Sequence, residues 1–93
     1  MENLKKRSEW ILILEELINI KPKNNEFNWR GQEFRYQYVA DQETKLGFLL
    51  IWDIKTFKAV NFSRVKVPDG FEFIEIQNEQ TFADNIPSNL KFD

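Results

Sequence analysis

Between Leu46 and Gln77 the chain reads as two consecutive hairpins whose alternation puts large apolar residues on both faces of one sheet. One helical segment, Asn3 to Ile20, is available to cover them. A helix shields one face of a sheet, so the other face needs a second cover. That requirement constrains both the fold and how the chain acts.

Turn chemistry sets the strand boundaries. Val67-Pro68-Asp69-Gly70-Phe71 carries the strongest signal: proline presets φ for a type I turn, and glycine takes the left-handed bulge position. A hairpin closed there aligns Val67 with Phe71, Val65 with Phe73, Phe62 with Ile76 and Lys66 with Glu72. The last pair is an exposed opposite-charge contact worth about 0.2–1 kcal/mol. Asp53-Ile54-Lys55-Thr56 reads as a type I turn opened by an Asp side chain, joining Phe48–Trp52 to Phe57–Phe62. Asp41 to Leu46 is a polar connection between Gln32–Ala40 and Phe48–Trp52. Arg30-Gly31 reads as a two-residue turn setting Phe27 beside Phe34, although arginine is a poor choice at its first position. Residues 24–29 are open between a strand and a loose connection.

These registers sort the side chains by face. One face collects Phe34, Tyr36, Tyr38, Leu49, Ile51, Val60, Phe62, Ile74 and Ile76, apolar or phenolic throughout, and should meet the helix. The other collects Arg35, Gln37, Val39, Phe48, Leu50, Trp52, Ala59, Val65 and Phe73. Fully burying each of its three large aromatics gains roughly 1.5–3 kcal/mol, so something should cover them.

The helix is itself wider in its apolar arc than a sheet demands. Trp10, Ile20, Ile13, Leu17, Leu14, Ile18, Ile11 and Leu4 span about 200° of the helical wheel, against about 100° for an ordinary surface helix. Glu9, Glu15, Glu16, Ser8, Asn19 and Lys5 fill the remainder, with Leu12 stranded among them. Asn3 suits an N-cap, Glu2 the positive end of the helix dipole, and Pro22 disfavours helix at Lys21. The expected architecture is α+β: an N-terminal amphipathic helix packed on one face of a four- to five-stranded antiparallel meander sheet. One domain covers residues 1–80, followed by a C-terminal tail over residues 81–93.

Composition limits the chemistry. The 93 residues form one domain, near the size at which about 60–65% of the unfolded chain's surface is buried. There is no histidine and no cysteine. Nucleophilic sites of the Ser-His-Asp or Cys-His kind, and imidazole or thiolate metal sites, therefore cannot be built. Catalysis would fall to carboxylates, a lysine or a tyrosine. Carboxylate-dependent hydrolysis would need two acids converging in one cleft; Asp53 and Glu33 lie near opposite sides of one strand junction, and nothing marks a cleft between them. No EF-hand loop, Gly-rich phosphate loop or zinc spacing is present, so neither a metal nor a cofactor is expected. Lys5, Lys6 and Arg7 ahead of Trp10–Leu14 faintly mimic a signal peptide, but Glu15 and Glu16 end the apolar run after five residues. No run reaches the roughly 20 apolar residues of a membrane span. A cysteine-free chain suits a reducing cytoplasm.

What remains is surface contact. Three covers compete for the second face. The tail, through Phe82, Ile86, Leu90 and Phe92, is one, with Pro87 breaking any helix there. A second copy in a twofold homodimer is another, with Trp10, Leu12, Ile13 and Leu17 as candidate interface residues. A different protein on the exposed aromatic patch is the third. Charge is unevenly spread. Residues 1–68 hold twelve basic and nine acidic side chains, a net of +3, whereas residues 69–93 hold one basic and six acidic, a net of −5. An acidic C-terminal third can steer a basic partner surface. The expected function is that of a small non-catalytic regulatory, adaptor or inhibitor protein, for example an inhibitor of a nuclease or defence system. Its contact residues are Arg35, Phe48, Trp52 and Phe73, helped by Asp69, Glu72, Glu75 and Glu79. The alternative is a single-stranded nucleic-acid-binding module, because Trp29, Arg30, Phe34, Arg35, Tyr36 and Tyr38 interleave basic and aromatic residues. The net charge of −2 opposes it, as does the core-face placement of Phe34, Tyr36 and Tyr38.

Overall fold

The computed structural model of the chain describes residues 7–22 and 24–92. The expected N-cap Asn3, the helical residue Leu4 and the basic Lys5 and Lys6 lie outside that range. The elements are α1 (Arg7–Ile20), β1 (Glu26–Trp29), β2 (Gln32–Ala40), β3 (Leu46–Asp53), β4 (Lys58–Lys66), β5 (Phe73–Glu75), α2 (Glu79–Asn85) and β6 (Lys91–Phe92). The sheet runs β1-β2-β3-β4-β6, and the first four strands form the antiparallel meander. The fold is α+β, as the residue pattern implies.

Three turns behave as their residues dictate. Arg30 (φ 51) and Gly31 (φ 80) both take left-handed backbone, the requirement of a two-residue hairpin loop, and Phe27 pairs with Phe34. Residues 26–29 are therefore a strand. At Asp53 one carboxylate oxygen accepts the N–H groups of Lys55 (2.8 Å) and Thr56 (3.2 Å), and the Phe57 N–H returns to the Asp53 carbonyl at 2.9 Å. The β2–β3 loop repeats this construction. Asp41 accepts from Glu43 (2.8 Å) and Thr44 (3.0 Å), and the Lys45 N–H closes on the Asp41 carbonyl at 2.8 Å. Phe57 and Lys45 sit at φ 64 and φ 61 in the same loop position. An Asp-x-x-Thr spacing thus builds both ends of β3.

The Pro68–Gly70 turn forms, with Gly70 at φ 91 and the Phe71 N–H donating to the Pro68 carbonyl at 3.2 Å, but it does not close a hairpin. Instead β5 runs parallel to β2, pairing Phe73 with Tyr38, Ile74 with Val39 and Glu75 with Ala40. Lys66 lies opposite Leu46 rather than Glu72. Two forces favour this route. Val67 and Phe71 enter the helix-side core, where Phe71 meets the rings of Tyr36 and Tyr38 at 6.0 and 5.3 Å. In addition, β1 covers only the first half of the β2 edge, and β5 pairs the backbone groups left open on the second half. Asn25 fills the gap between them, donating to the Tyr36 carbonyl (3.0 Å) and the Gln37 side chain (2.9 Å).

Two apolar layers result. On one side Trp10, Ile13 and Leu17 of α1 pack with Phe27, Phe34, Tyr36, Tyr38, Leu49, Ile51, Val60 and Phe62. Trp10 meets Phe34 edge-on at 5.9 Å. On the other side Leu50, Trp52 and Ala59 pack with Ile86, flanked by Phe48, Phe57, Phe82 and Leu90. Val65 and Phe73, expected on that second face, belong to the helix side. A bulge between Gly47 and Phe48 leaves Arg64 (φ 57) without a partner and flips Val65, while parallel pairing opposite Tyr38 turns Phe73 inward. Ile74, opposite Val39, moves the other way.

Gly47 is required by steric fit. A Cβ there would run into the Val39 carbonyl and lie 2.6 Å from the Ala40 Cα, both backbone. Gly47→Ala should cost about 3 kcal/mol or more. At Gly31, where only φ opposes a side chain, Gly31→Ala should cost about 1 kcal/mol. Urea unfolding of the two variants checks the ranking.

Candidate functional site

The residues expected to meet a partner are distributed over three surfaces. Trp52 is 3% exposed, beneath the C-terminal segment. Phe48 is half-buried, with its ring against Phe82 at 6.4 Å. Phe73 packs on the helix-side core. The aromatic face is therefore closed in this conformation, and the tail is its cover. Phe82, Ile86 and Leu90 carry the contact, while Phe92 remains 55% exposed.

Arg35 lies opposite Trp52 in the strand register, yet its guanidinium turns to Glu26, with Nη2 and Nε at 2.8 and 3.0 Å from the same carboxylate oxygen. Both partners are half exposed, so the pair adds at most about 1 kcal/mol. A basic group that does lie over an aromatic ring is Arg30, 4.6 Å above Trp29 at the tip of the first hairpin. Phe34, Tyr36 and Tyr38 are buried beside α1 and offer no stacking platform to a base.

The acidic residues do not converge. Glu72 lines a small cavity with Lys21, Pro22, Asn25 and Tyr36. Glu75 faces a shallow depression shared with Asp41, Glu43, Gln77 and Asn78. Glu79 begins α2 and Asp69 sits in the Pro68–Gly70 turn. Two of these carboxylates serve as loop fasteners. Glu75 accepts the N–H groups of Gln42 (2.9 Å) and Gln77 (3.0 Å), which ties β5 to the β2–β3 loop. The two donated N–H groups on Asp41 hold its carboxyl below the usual carboxylate range. Asp53, once paired with Glu33 as a hydrolytic candidate, is buried and likewise fastens its own turn. Among the described residues no group of three or more acidic side chains is placed to hold a metal.

Of the four residues expected between copies, Trp10, Ile13 and Leu17 face the sheet and are fully buried. Leu12 remains outside, and with it Ile11, Ile18 and Ile20, each 39–47% exposed. Leu14 is half-buried beside them. The wide apolar arc of the helix is thus divided, one part on the sheet and one part in water. Ile11 and Ile18 stand two turns apart on a single outward line. The arc width was legible in the sequence. Which part of it met the sheet was not, because side chains on both flanks of Trp10 are equally apolar.

The β4 edge beyond Ala59 has no strand partner among the described residues. It carries Arg64 in its bulge and Lys66, features that discourage strand addition. No helix among the described residues is long and apolar enough to cross a membrane. Comparison with protein-family models, curated proteins and solved structures returned no match.

The buried phenols supply a titration test. Burial, followed by the charge of neighbouring Tyr36, pushes Tyr38 up to about 12, and burial with the Glu72 carboxylate raises Tyr36. In the unfolded chain both ionise near 10. The folded protein therefore holds more protons above that pH, and its stability should fall as pH rises from about 10 toward 12. Ultraviolet phenolate titration, with urea midpoints at successive pH values, measures both effects.

Proposed function

We propose that this chain is a small non-catalytic protein of the regulatory, adaptor or inhibitor kind, acting by contact with another protein through the outward side of α1. One observation carries the reading: four of the seven large hydrophobic residues exposed among the described residues, Ile11, Leu12, Ile18 and Ile20, belong to this one 14-residue helix. The remaining three, Leu46, Ile76 and Phe92, are scattered over other elements. Single exposed apolar residues are ordinary, but Ile11 and Ile18 two turns apart on one line, with half-buried Leu14 beside them, form a continuous apolar strip of the kind that marks a contact surface.

The flanks of that stripe indicate the partner's chemistry. Glu15 borders the line of Ile11 and Ile18, Glu9 and Glu16 lie farther round the helix, and the last turn holds no basic residue. An apolar ridge with basic margins is the complementary surface. The net charge of −5 over residues 69–93 favours the same sign of partner and would speed the encounter at low salt. A second copy of the chain would bring acidic margins against acidic margins, so self-association through α1 is the weaker reading. Location in the cytoplasm accords with the absence of cysteine.

The test compares the natural chain with an Ile11→Lys/Ile18→Lys double variant and an Ile76→Lys control in quantitative affinity capture. The double variant should keep its thermal midpoint, since both residues are exposed and outside the buried set, and lose partner affinity at least tenfold, the size expected of one buried anchor. The control should bind as the natural chain does. Equal capture by all three would refute the assignment to α1.

A further inference from the structure

The C-terminal segment differs from the rest of the structure in how little holds it. None of the seven residues of α2 is buried. Its N-cap is a single bond from the Thr81 N–H to the Asn78 side chain at 3.1 Å. An isolated helix of this length has no stability of its own in water. Across the whole segment Ile86 alone is buried, Phe82 within α2 and Leu90 beyond it are half-buried, and β6 adds a two-residue parallel ladder opposite Lys58 and Ala59. The segment crosses the sheet from Ala40, where the Ile76 N–H donates at 2.9 Å, to Phe57, where the Lys91 N–H donates at 2.8 Å.

The surface beneath it has the opposite character. Leu50, Trp52 and Ala59 are almost fully buried and lie on the rigid centre of the sheet, with Phe48 and Phe57 alongside. When the segment lifts, wetting that apolar groove is unfavourable, so another apolar occupant is drawn to it. The occupant that fits it by construction is the same segment from a second copy, because Phe82, Ile86 and Leu90 would make identical contacts.

We propose that residues 79–92 form an exchangeable strap, which closes its own sheet in the monomer and the sheet of a second copy in a reciprocal dimer. The hinge is the bend at residues 76–78, fastened by the Asn78 N–H on the Glu75 carbonyl at 2.8 Å and the Gln77 N–H on the Glu75 carboxylate at 3.0 Å. Straightening it extends the chain past the end of β2 and leaves the core around α1 untouched. Closed and exchanged forms then share every contact except those of the hinge, the condition under which domain exchange is cheap. A short hinge favours the exchanged form and a longer one the closed form.

The chain has no cysteine, so placed thiols report directly on exchange. Full-length chains carrying only Phe48→Cys are mixed with chains carrying only Phe82→Cys and treated with a short bis-maleimide. A link between positions 48 and 82 can form only between two molecules. The expected result is a mixed product that increases with protein concentration, rises several-fold on deletion of Gln77, and falls when three residues are inserted after Gln77. It should disappear when Ile86→Asp is added to the Phe82→Cys chain. Absence of the mixed product at every concentration, with the hinge intact and shortened alike, overturns the proposal. A mixed product that persists unchanged with Ile86→Asp overturns it too, since the contact would then bypass the groove.

Discussion

Strand β3 carries the constraint on which the other packing depends. Leu49 and Ile51 point to one side, Leu50 and Trp52 to the other, and all four are buried. Alternation by one residue leaves no choice in this. A sheet whose central strand is greasy on both faces must sit between two covers. Helix α1 supplies one through Trp10, Ile13 and Leu17, and the C-terminal segment supplies the other through Phe82, Ile86 and Leu90. The covers are unequal. The helix side gathers fourteen buried residues and a run of edge-to-face aromatic contacts, whereas the strap side gathers four. Local opening follows the smaller cluster.

Polar groups secure the points where this two-sided packing would otherwise break hydrogen bonding. β2 meets two different strands along one edge, and at the junction Asn25 and Gln37 complete the backbone, Gln37 donating to the Tyr38 carbonyl at 2.9 Å. Asp41, Asp53 and Glu75 each hold a loop by accepting two backbone N–H groups. Acidic residues that read as a surface for partners thus serve partly as internal fasteners. Four of the seven large apolar residues exposed among the described residues are on α1, away from the aromatic face, and the proposed contact surface is therefore on the helix rather than the sheet.

How much was legible in the residues differs by element. The Arg30-Gly31 turn, the Asp53 turn, the pairing of Phe27 with Phe34 and the helix-side set from Phe34 to Phe62 all followed from local pattern. The Asp-x-x-Thr spacing at Asp41 and Asp53 is a further local signal, present twice and sufficient to indicate two loops of one kind. The last hairpin did not follow. Pro68-Asp69-Gly70 specifies a turn, but a turn says nothing about which edge the outgoing strand will find. Val65 and Phe73 changed faces for reasons lodged in strand pairing, a bulge at Arg64 where β4 meets Gly47 and Phe48, and a parallel register on β2.

Period, turn chemistry and composition therefore determined α1, the strands β2 to β4, their two-faced character and the absence of histidine and thiol chemistry, because each depends on residues close together in the chain, whereas α2 and β6 carried no such signal. Only the tertiary structure decided that β5 joins β2, that Phe82, Ile86 and Leu90 of the C-terminal segment pack over Trp52, and that α1 leaves Ile11 and Ile18 exposed. Those outcomes are settled by competition among distant apolar surfaces for the same limited area of contact. The energies involved are nearly equal per residue, so the winner depends on geometry that no short stretch of sequence contains.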